Sequence, residues 1–503
     1  MARVVERQWE GDPSAYGGRT ARTSFKYQAF VPDAIAFSDL RITFEVADAV
    51  AAAEAAVREL NVASAVAGLE AVAALLLRSE AIASSRIEGF ELSQRNLARA
   101  LIDPRAARGT AGVVAANVLA MEQAISIGDL ERQIEVADIL EVHRTLMARE
   151  PARLMPGQLR REQNWIGGRV NSPIDARYIP PPESEVKSLV ADLVAFINRT
   201  DLPGVAQAAI AHAQFETIHP FLDGNGRVGR CLIHAILRRR GIAPRFVPPV
   251  SVVLAARTSQ YIGGLEAYRG GQVAEWCGSF AGACERAARL SVELAQTIRN
   301  LQAGWYERAG EPRRDSAAAR IITLLPAQPI ASAATMRAAI GASHRRSLEG
   351  LKMLAKTGVV RQVSEGDYDR QYAADELFGL IESFERQLSG TAAGGVTHDG
   401  RHSRPDRTGE GPTEAPPGAL TRRRRNSYPV GMKAIVSEKG QVTIPKALRN
   451  RLGIRPGAVL EFEAEGGRLV ARKTAQRDVL DSVYGTLRMT ESVDEFIERI
   501  RGR

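Results

Sequence analysis

Cysteine is nearly absent from this chain: three in 503 residues, Cys231, Cys277 and Cys284, with no C-x-x-C pair among them. That excludes a disulfide framework and a zinc knuckle, and it fits a reducing, cytoplasmic setting. Long hydrophobic runs are also missing. No stretch reads as about 18 uninterrupted apolar residues, so no membrane span is expected. The opening "MARVVERQWEGDPSAYGG" has neither the apolar core nor the small-residue cleavage site of a secretory signal. Charge of one sign is modest, a net +9, which permits nucleic-acid or nucleotide partners without requiring them. What the chain does have is globular composition, 45% hydrophobic and 25% charged. Its length exceeds the roughly 250–300 residues at which single cores stop growing, so several domains are expected.

Residues 46–124 read as helix after helix. "EVADAVAAAEAAVREL" and "AVAGLEAVAALLLRSEAIASSRIE" are rich in Ala and Leu, with apolar residues at helical spacing. "RVNSPIDARYIPPPESEV", at 169–186, breaks the pattern with prolines and short extended pieces, predicting a loop or small hairpin. Helices return at 184–198, 204–217, 227–239 and 273–301. A second unit at 315–378 gives three short helices and a two-stranded wing, the order of a winged helix-turn-helix. Its third helix, carrying Arg345, Arg346, Lys352 and Lys356, would enter a major groove. Residues 390–430 are rich in Gly, Pro, Thr and Arg and predict a disordered linker. From Met432 onward, short β-type runs flank one basic helix at 445–452. So small a unit needs a shared core, which implies a homo-oligomer.

The densest chemistry is "HPFLDGNGRVGR", residues 219–230. A glycine-rich turn entering a helix aims backbone N–H groups at one spot, and the helix dipole adds positive potential, so phosphate binds such places. Gly224, Asn225 and Gly226 can form that nest. Arg227 and Arg230 lie three residues apart and share a helix face, which suits a di- or triphosphate. Asp223 would repel phosphate unless a cation bridged the two, and Mg²⁺ does this with one protein carboxylate. His219, at the lip, has the side chain of a general base at neutral pH.

That stretch matches in full the H-P-F-x-[D/E]-G-N-G-R-x-x-R signature of Fic-domain proteins. "FKYQAFVPDAI", "LLLRSEAIASSRIEG", "MPGQLRREQNWIGG" and "ARYIPPPESEV" extend the resemblance over about residues 25–300. The resemblance implies an all-α fold with a small β-hairpin flap: an N-terminal helical region with an inhibitory helix at 1–112 and a catalytic core at 113–303. It implies transfer of AMP from ATP, with Mg²⁺, to a Ser, Thr or Tyr hydroxyl of a target protein, the chain itself included. His219 would be the base and Asp223 the metal ligand. The nest with Arg227 would hold the α- and β-phosphates, Val228 and Gly229 would be among the nucleotide-binding residues, and Arg230 would reach the γ-phosphate. The flap at 175–180 would align the target by strand-like pairing. Where related proteins often carry paired tyrosines near adenine, this sequence has Tyr261 and Ile262, which alters base stacking. Transfer of another group, such as UMP or phosphocholine, and removal of AMP stay open.

"SSRIEG", 84–89, is on its own a helix end with a glycine C-cap. Within this resemblance, Ser84, Glu88 and Gly89 match the inhibitory [S/T]-x-x-x-E-[G/N] motif, implying a salt bridge from Glu88 to Arg230. "MKAIVSEKGQVTIPKALRNRLGIRPGAVLEF", within 432–474, resembles AbrB/SpoVT swapped-hairpin domains of antitoxins. This resemblance makes Lys439, Lys446, Arg449 and Arg451 DNA contacts. The tail at 475–503 is similar to VapB-type tails that wrap a PIN-domain toxin. The competing reading is a DNA-binding antitoxin or regulator whose Fic domain senses nucleotide.

Overall fold

The computed structural model describes residues 2–11, 23–39, 43–63, 70–103, 105–168, 172–364, 370–390, 460–465 and 468–473. Met1–His398 and Asp399–Arg503 are separate units. The first opens on an antiparallel hairpin, β1 (Arg3–Trp9) against β2 (Phe25–Val31), in the register Arg3 to Val31. β2 alternates as a half-buried strand should, with Tyr27, Ala29 and Val31 inward and Lys26 and Gln28 outward. A wholly helical N-terminal region was the expectation; the period-two run in "FKYQAFV" is the signal that overrides it.

Among the described residues the helices that follow are α1 (Phe44–Ala63), α2 (Glu70–Ile87), α3 (Gln94–Ile102), α4 (Thr110–Gly128), α5 (Val136–Leu146), α6 (Glu183–Ile197), α7 (Gly204–Ile218), α8 (Asn225–Arg239), α9 (Val250–Ala256), α10 (Thr258–Arg269) and α11 (Val273–Arg308). Every residue of α7 is buried, which makes it the central helix, packed by α6, α8, α10 and α11. Its sequence "GVAQAAIAHAQFETI" has no polar face because no side of it meets water. α4 is long and apolar enough to cross a membrane by length and composition, contrary to the expectation that no such segment exists. In the fold it lies against α8, α5 and α2, and its buried Asn117 donates to Ala81 O and Ser85 Oγ. The "YIPPPE" region is no regular hairpin: among the described residues it makes one bridge, Ile166 with Tyr178.

The chain continues into α12 (Ala317–Leu324), β3 (Ile330–Ser332), α13 (Ala333–Ile340), α14 (His344–Lys356), β4 (Arg361–Gln362), β5 (Gln371–Ala373) and α15 (Asp375–Leu388). Serine N-caps start the three short helices, with Ser316, Ser332 and Ser343 each accepting from a backbone N–H of the first turn. The sheet has three strands in the order β3-β5-β4, where a two-stranded wing was expected. The extra strand is three residues ending on the α13 cap, Ser332, too short to signal itself. Arg345, Arg346, Lys352 and Lys356 on α14 are exposed, and Arg345 pairs with Glu349 of the same helix. α15 returns to α11 and α9, and it ties this module to α3: Arg95 pairs with Asp375 at 2.6 Å and lies over the Phe378 ring, while Gln94 donates to Glu385 at 2.7 Å.

In the second unit, β6 (Leu460–Glu465) and β7 (Arg468–Lys473) form an antiparallel pair. The expected linker at 390–430, all but its first residue, and Lys439, Lys446, Arg449, Arg451 and the tail at 475–503 lie outside the described residues.

Candidate active site

α7 ends where His219 turns left-handed, with φ +50°. This conformation is unusual for a residue with a Cβ and needs outside support. Two side chains supply it by donating to the His219 carbonyl: Arg160 Nε at 3.0 Å and Asn164 Nδ2 at 3.2 Å. Asn164 also holds Phe221 O at 2.8 Å, and the Arg160 backbone N–H donates to Pro220 O. The loop between α7 and α8 is therefore laced along its carbonyls. Gly224, at φ +79°, then starts α8 in a backbone region that glycine enters freely.

Asn225 does not face an anion with its side chain. Its Oδ1 accepts from Phe221 N and its Nδ2 donates to Phe221 O, both at 2.8 Å, and the residue is buried. It braces the turn from inside, so only its backbone N–H is left for the nest. Val228 N–H is spent on Gly224 O as the first helical bond of α8. The nest is thus narrower than the sequence motif. Asn225→Ala is expected to cost about 1–3 kcal/mol, because it strands two buried backbone groups. A lowered midpoint in urea would show it; an unchanged midpoint would mean water replaces the amide.

Three further side chains shape the site without any sequence signal of their own. His143 stacks on Phe221 at 3.7 Å. Its Nδ1 accepts from Gly157 N at 2.9 Å, which leaves the proton on Nε2 to meet Asp223 O at 3.1 Å. Burial pushes it down to about 4, so it is neutral. Glu216, one turn before His219, is buried, and its Oε2 lies 3.8 Å from His219 Nδ1. Tyr178 donates to Thr217 O at 2.7 Å and stacks under Arg269, joining the bridge at Ile166 to the end of α7.

The two arginines sit in one buried face of α8, both 1% exposed. Arg227 lies over the Phe90 ring at 5.0 Å and 3.9 Å from Asp223 Oδ1. Its Nε and Nη1 have no hydrogen-bond partner among the described residues. Buried guanidinium donors without an acceptor are costly, and an anion resolves the cost. Arg230 is partnered instead: Nε donates to Ser84 Oγ at 2.8 Å, and Nη2 to Ser84 O at 2.9 Å and Glu88 Oε1 at 2.8 Å. Glu88 follows the end of α2, in a turn closed by Gly89 at φ +85°. Both readings of "SSRIEG" are thus present together, the glycine-capped helix end and the ion pair. Burial opposes ionisation of Glu88, but Arg230, with Arg227 and His219, holds its carboxyl below the usual range. A methyl added at Gly226 would collide with Glu88 Oε1, so this carboxylate covers the nest.

Asp223 stands at the rim, its side chain 53% exposed, with Oδ1 accepting from Gly224 N at 2.6 Å. No cluster of three or more metal-ligating side chains occurs among the described residues. A hard cation held by one carboxylate and phosphate oxygens needs no such cluster. Tyr261 is buried with its hydroxyl 2.8 Å from His212 Nε2 and its ring beside Trp276; Ile262 is half-buried next to it.

Burial holds His143, His212 and His219 at about 4, 3 and 4, and pushes Glu216 up to about 7. An unfolded histidine takes its proton near 6.5, so each histidine makes the unfolded state bind more protons between about 4 and 6.5. Glu216 acts in the opposite sense from about 4.5 to 7. Three histidines outweigh one carboxyl, so stability is expected to rise with pH from about 4.5 to 6.5. Melting temperatures across that window check it; a flat or falling series contradicts it.

Residues 133–237 match the Fic/DOC family model, and residues 433–478 match the antidote-toxin recognition MazE model of bacterial antitoxins. The protein adenylyltransferase Fic of Drosophila erecta is 34% identical over 119 residues, 23% of this chain and 22% of its own. That of Drosophila melanogaster is 34% identical over 118 residues, with the same shares. The chain therefore spans about a fifth of the length of the curated relatives it matches. A Fic family protein from Desulfovibrio desulfuricans G20 aligns in structure at TM-score 0.42 and 22% identity, over 67% of this chain and 97% of that one. The residues that brace the turn, His143, Arg160 and Asn164, and the loop from His219 to Arg230 all lie within a Fic/DOC domain carried by this chain.

Proposed function

We propose that this chain is a protein adenylyltransferase that moves AMP from ATP to a Ser, Thr or Tyr hydroxyl of a protein, and that Glu88 restrains it. The observation that carries this reading is Arg227: a buried guanidinium with two uncommitted donors beside the free N–H groups that start α8. ATP would lay its α- and β-phosphates on the N–H groups of Asn225, Gly226 and Arg227, with Arg227 beside them and Arg230 toward the γ-phosphate. Asp223 is placed to hold Mg²⁺, which when bound neutralises phosphate charge. His219 takes the proton of the incoming hydroxyl as its oxygen bonds to the α-phosphorus; the bond to the bridging oxygen breaks and pyrophosphate leaves. The extended residues at 175–180, anchored by the Ile166–Tyr178 bridge, would position the target backbone.

The MazE-type match supports a regulatory role for the C-terminal unit: binding DNA as a homo-oligomer, with a PIN-type toxin as a further partner. The exposed cations of α14 offer a second DNA surface. The test of the enzymatic reading uses the full chain carrying Glu88→Gly, Mg²⁺ and ATP labelled at either the α- or the γ-phosphate. Label retained on protein from the α-position alone is expected. Retention from the γ-position would mean phosphorylation, and retention from neither would overturn the proposal in favour of a nucleotide sensor.

A further inference from the structure

Glu216 and His219 face each other at the end of α7. His219 Nδ1 and Glu216 Oε1 are both buried and lack a hydrogen-bond partner among the described residues, and Glu216 Oε2 is 3.8 Å from that Nδ1. Gly229 of α8 makes the space. A Cβ there would stand 2.8 Å from Glu216 Oε1, so only glycine lets α8 pass this close to the carboxyl. The Glu216 backbone carbonyl also interacts with the imidazole and favours its protonated form. With Nδ1 carrying hydrogen, Nε2 is the bare nitrogen.

We infer that Glu216 is a positioning residue for the transfer reaction: its carboxylate accepts from His219 Nδ1–H, fixes the tautomer with Nε2 free, and stabilises the imidazolium formed when Nε2 takes the hydroxyl proton. This inference rests on the adenylyltransfer reading of the same site. No proton passes to Glu216. Nδ1 keeps its hydrogen throughout, Nε2 gains one from the hydroxyl and later returns it to solvent. A rotation of the imidazole by a few tenths of an ångström to one ångström brings 3.8 Å to hydrogen-bond range, roughly the tightening seen when such sites fill.

The charges around the pair set when Glu216 is ionised. On α7 itself His212 presents an unpartnered Nδ1; from α8 comes Arg230, from α10 Arg269 and Tyr261, from the turn after α2 Glu88, and Arg160 faces His219. Burial raises the Glu216 carboxyl to about 7, the cations of Arg230 and Arg269 work against that, and Glu88 reinforces it. The pair is therefore poised to be ionised and un-ionised across neutral pH.

Two measurements on the full chain test this. In the Glu88→Gly background, Glu216→Gln is expected to lower kcat for AMP transfer roughly tenfold or more while the KM for ATP stays within about twofold. The parent's kcat should climb through about pH 7, and the Gln variant should lose that climb. An unchanged kcat with an unchanged pH profile overturns the inference. The second measurement needs no activity: the His219 ring signals of the otherwise unaltered chain, followed by NMR, should show an inflection near pH 7 that Glu216→Gln removes. Absence of that inflection overturns the pairing whatever the kinetics. An inflection in a chain that transfers no AMP would leave the pair standing and the enzymatic reading refuted.

Discussion

Glu88→Gly is expected to raise the rate of AMP transfer by about ten- to a hundredfold, the equivalent of one charge-assisted hydrogen bond of about 1.5–3 kcal/mol. The geometry behind the figure is specific. Arg230 spends Nη2 on Glu88 Oε1 at 2.8 Å, and the same oxygen covers Gly226, where phosphate would lie. Under the proposed restraint the carboxylate would block twice, by holding the guanidinium and by placing a negative charge in an anion nest. Removing it leaves Arg230 anchored through Nε to Ser84 Oγ, so the guanidinium stays in place with a donor released. Glu88→Gln separates the two effects: it keeps the shape and loses the charge, and should give an intermediate rate. Gly89 already holds the tight left-handed turn, so a second glycine at 88 loosens the end of α2; Glu88→Ala controls for that. Equal rates in Glu88→Gly, Glu88→Ala and the unaltered chain would remove Glu88 from the account of regulation.

What the sequence made legible is what local chemistry encodes. The ends of α6, α7 and α8 follow from helical periodicity, and the anion nest follows from a glycine-bearing turn at a helix start. The hidden part depends on the return of distant chain. Nothing in "EVHRTL" marks His143 as the residue that holds the Asp223 carbonyl, since a lone histidine on an apolar face reads as core. Asn225 reads as part of the nest through its backbone N–H; that its side-chain amide closes on Phe221, four residues back, is visible only once the loop has folded. The grip of α15 on α3, through Arg95, Asp375 and Phe378, joins residues some 280 positions apart and leaves no periodic trace. The β1–β2 hairpin was legible in principle, in the alternation of "FKYQAFV", but Pro32 and the helices after it dominate the local pattern.

Loss of the base should be the largest single effect. In the Glu88→Gly background, His219→Ala is expected to lower AMP transfer by about 10²–10⁴-fold while leaving ATP affinity within about twofold. The split follows from where the two functions sit. In the proposed reaction phosphate would be held by backbone N–H groups of α8 and by Arg227 and Arg230, none of which the imidazole supports. His219 is supported in turn by Arg160 and Asn164 on its backbone carbonyl, an atom alanine retains. The left-handed backbone costs alanine about 1 kcal/mol more than glycine, so His219→Gly is the companion variant that removes the base without that strain. Burial and the Arg160 charge hold the imidazole at about 4, so it is neutral and able to accept a proton throughout pH 6–8. Its own titration therefore adds no limb in that range, and any change of rate near pH 7 belongs to Glu216. Calorimetry of ATP binding beside the transfer assay makes the distinction. A histidine-free variant that retains more than about a tenth of the parental rate would show that the hydroxyl needs no base here, as expected if substrate positioning alone carried the reaction.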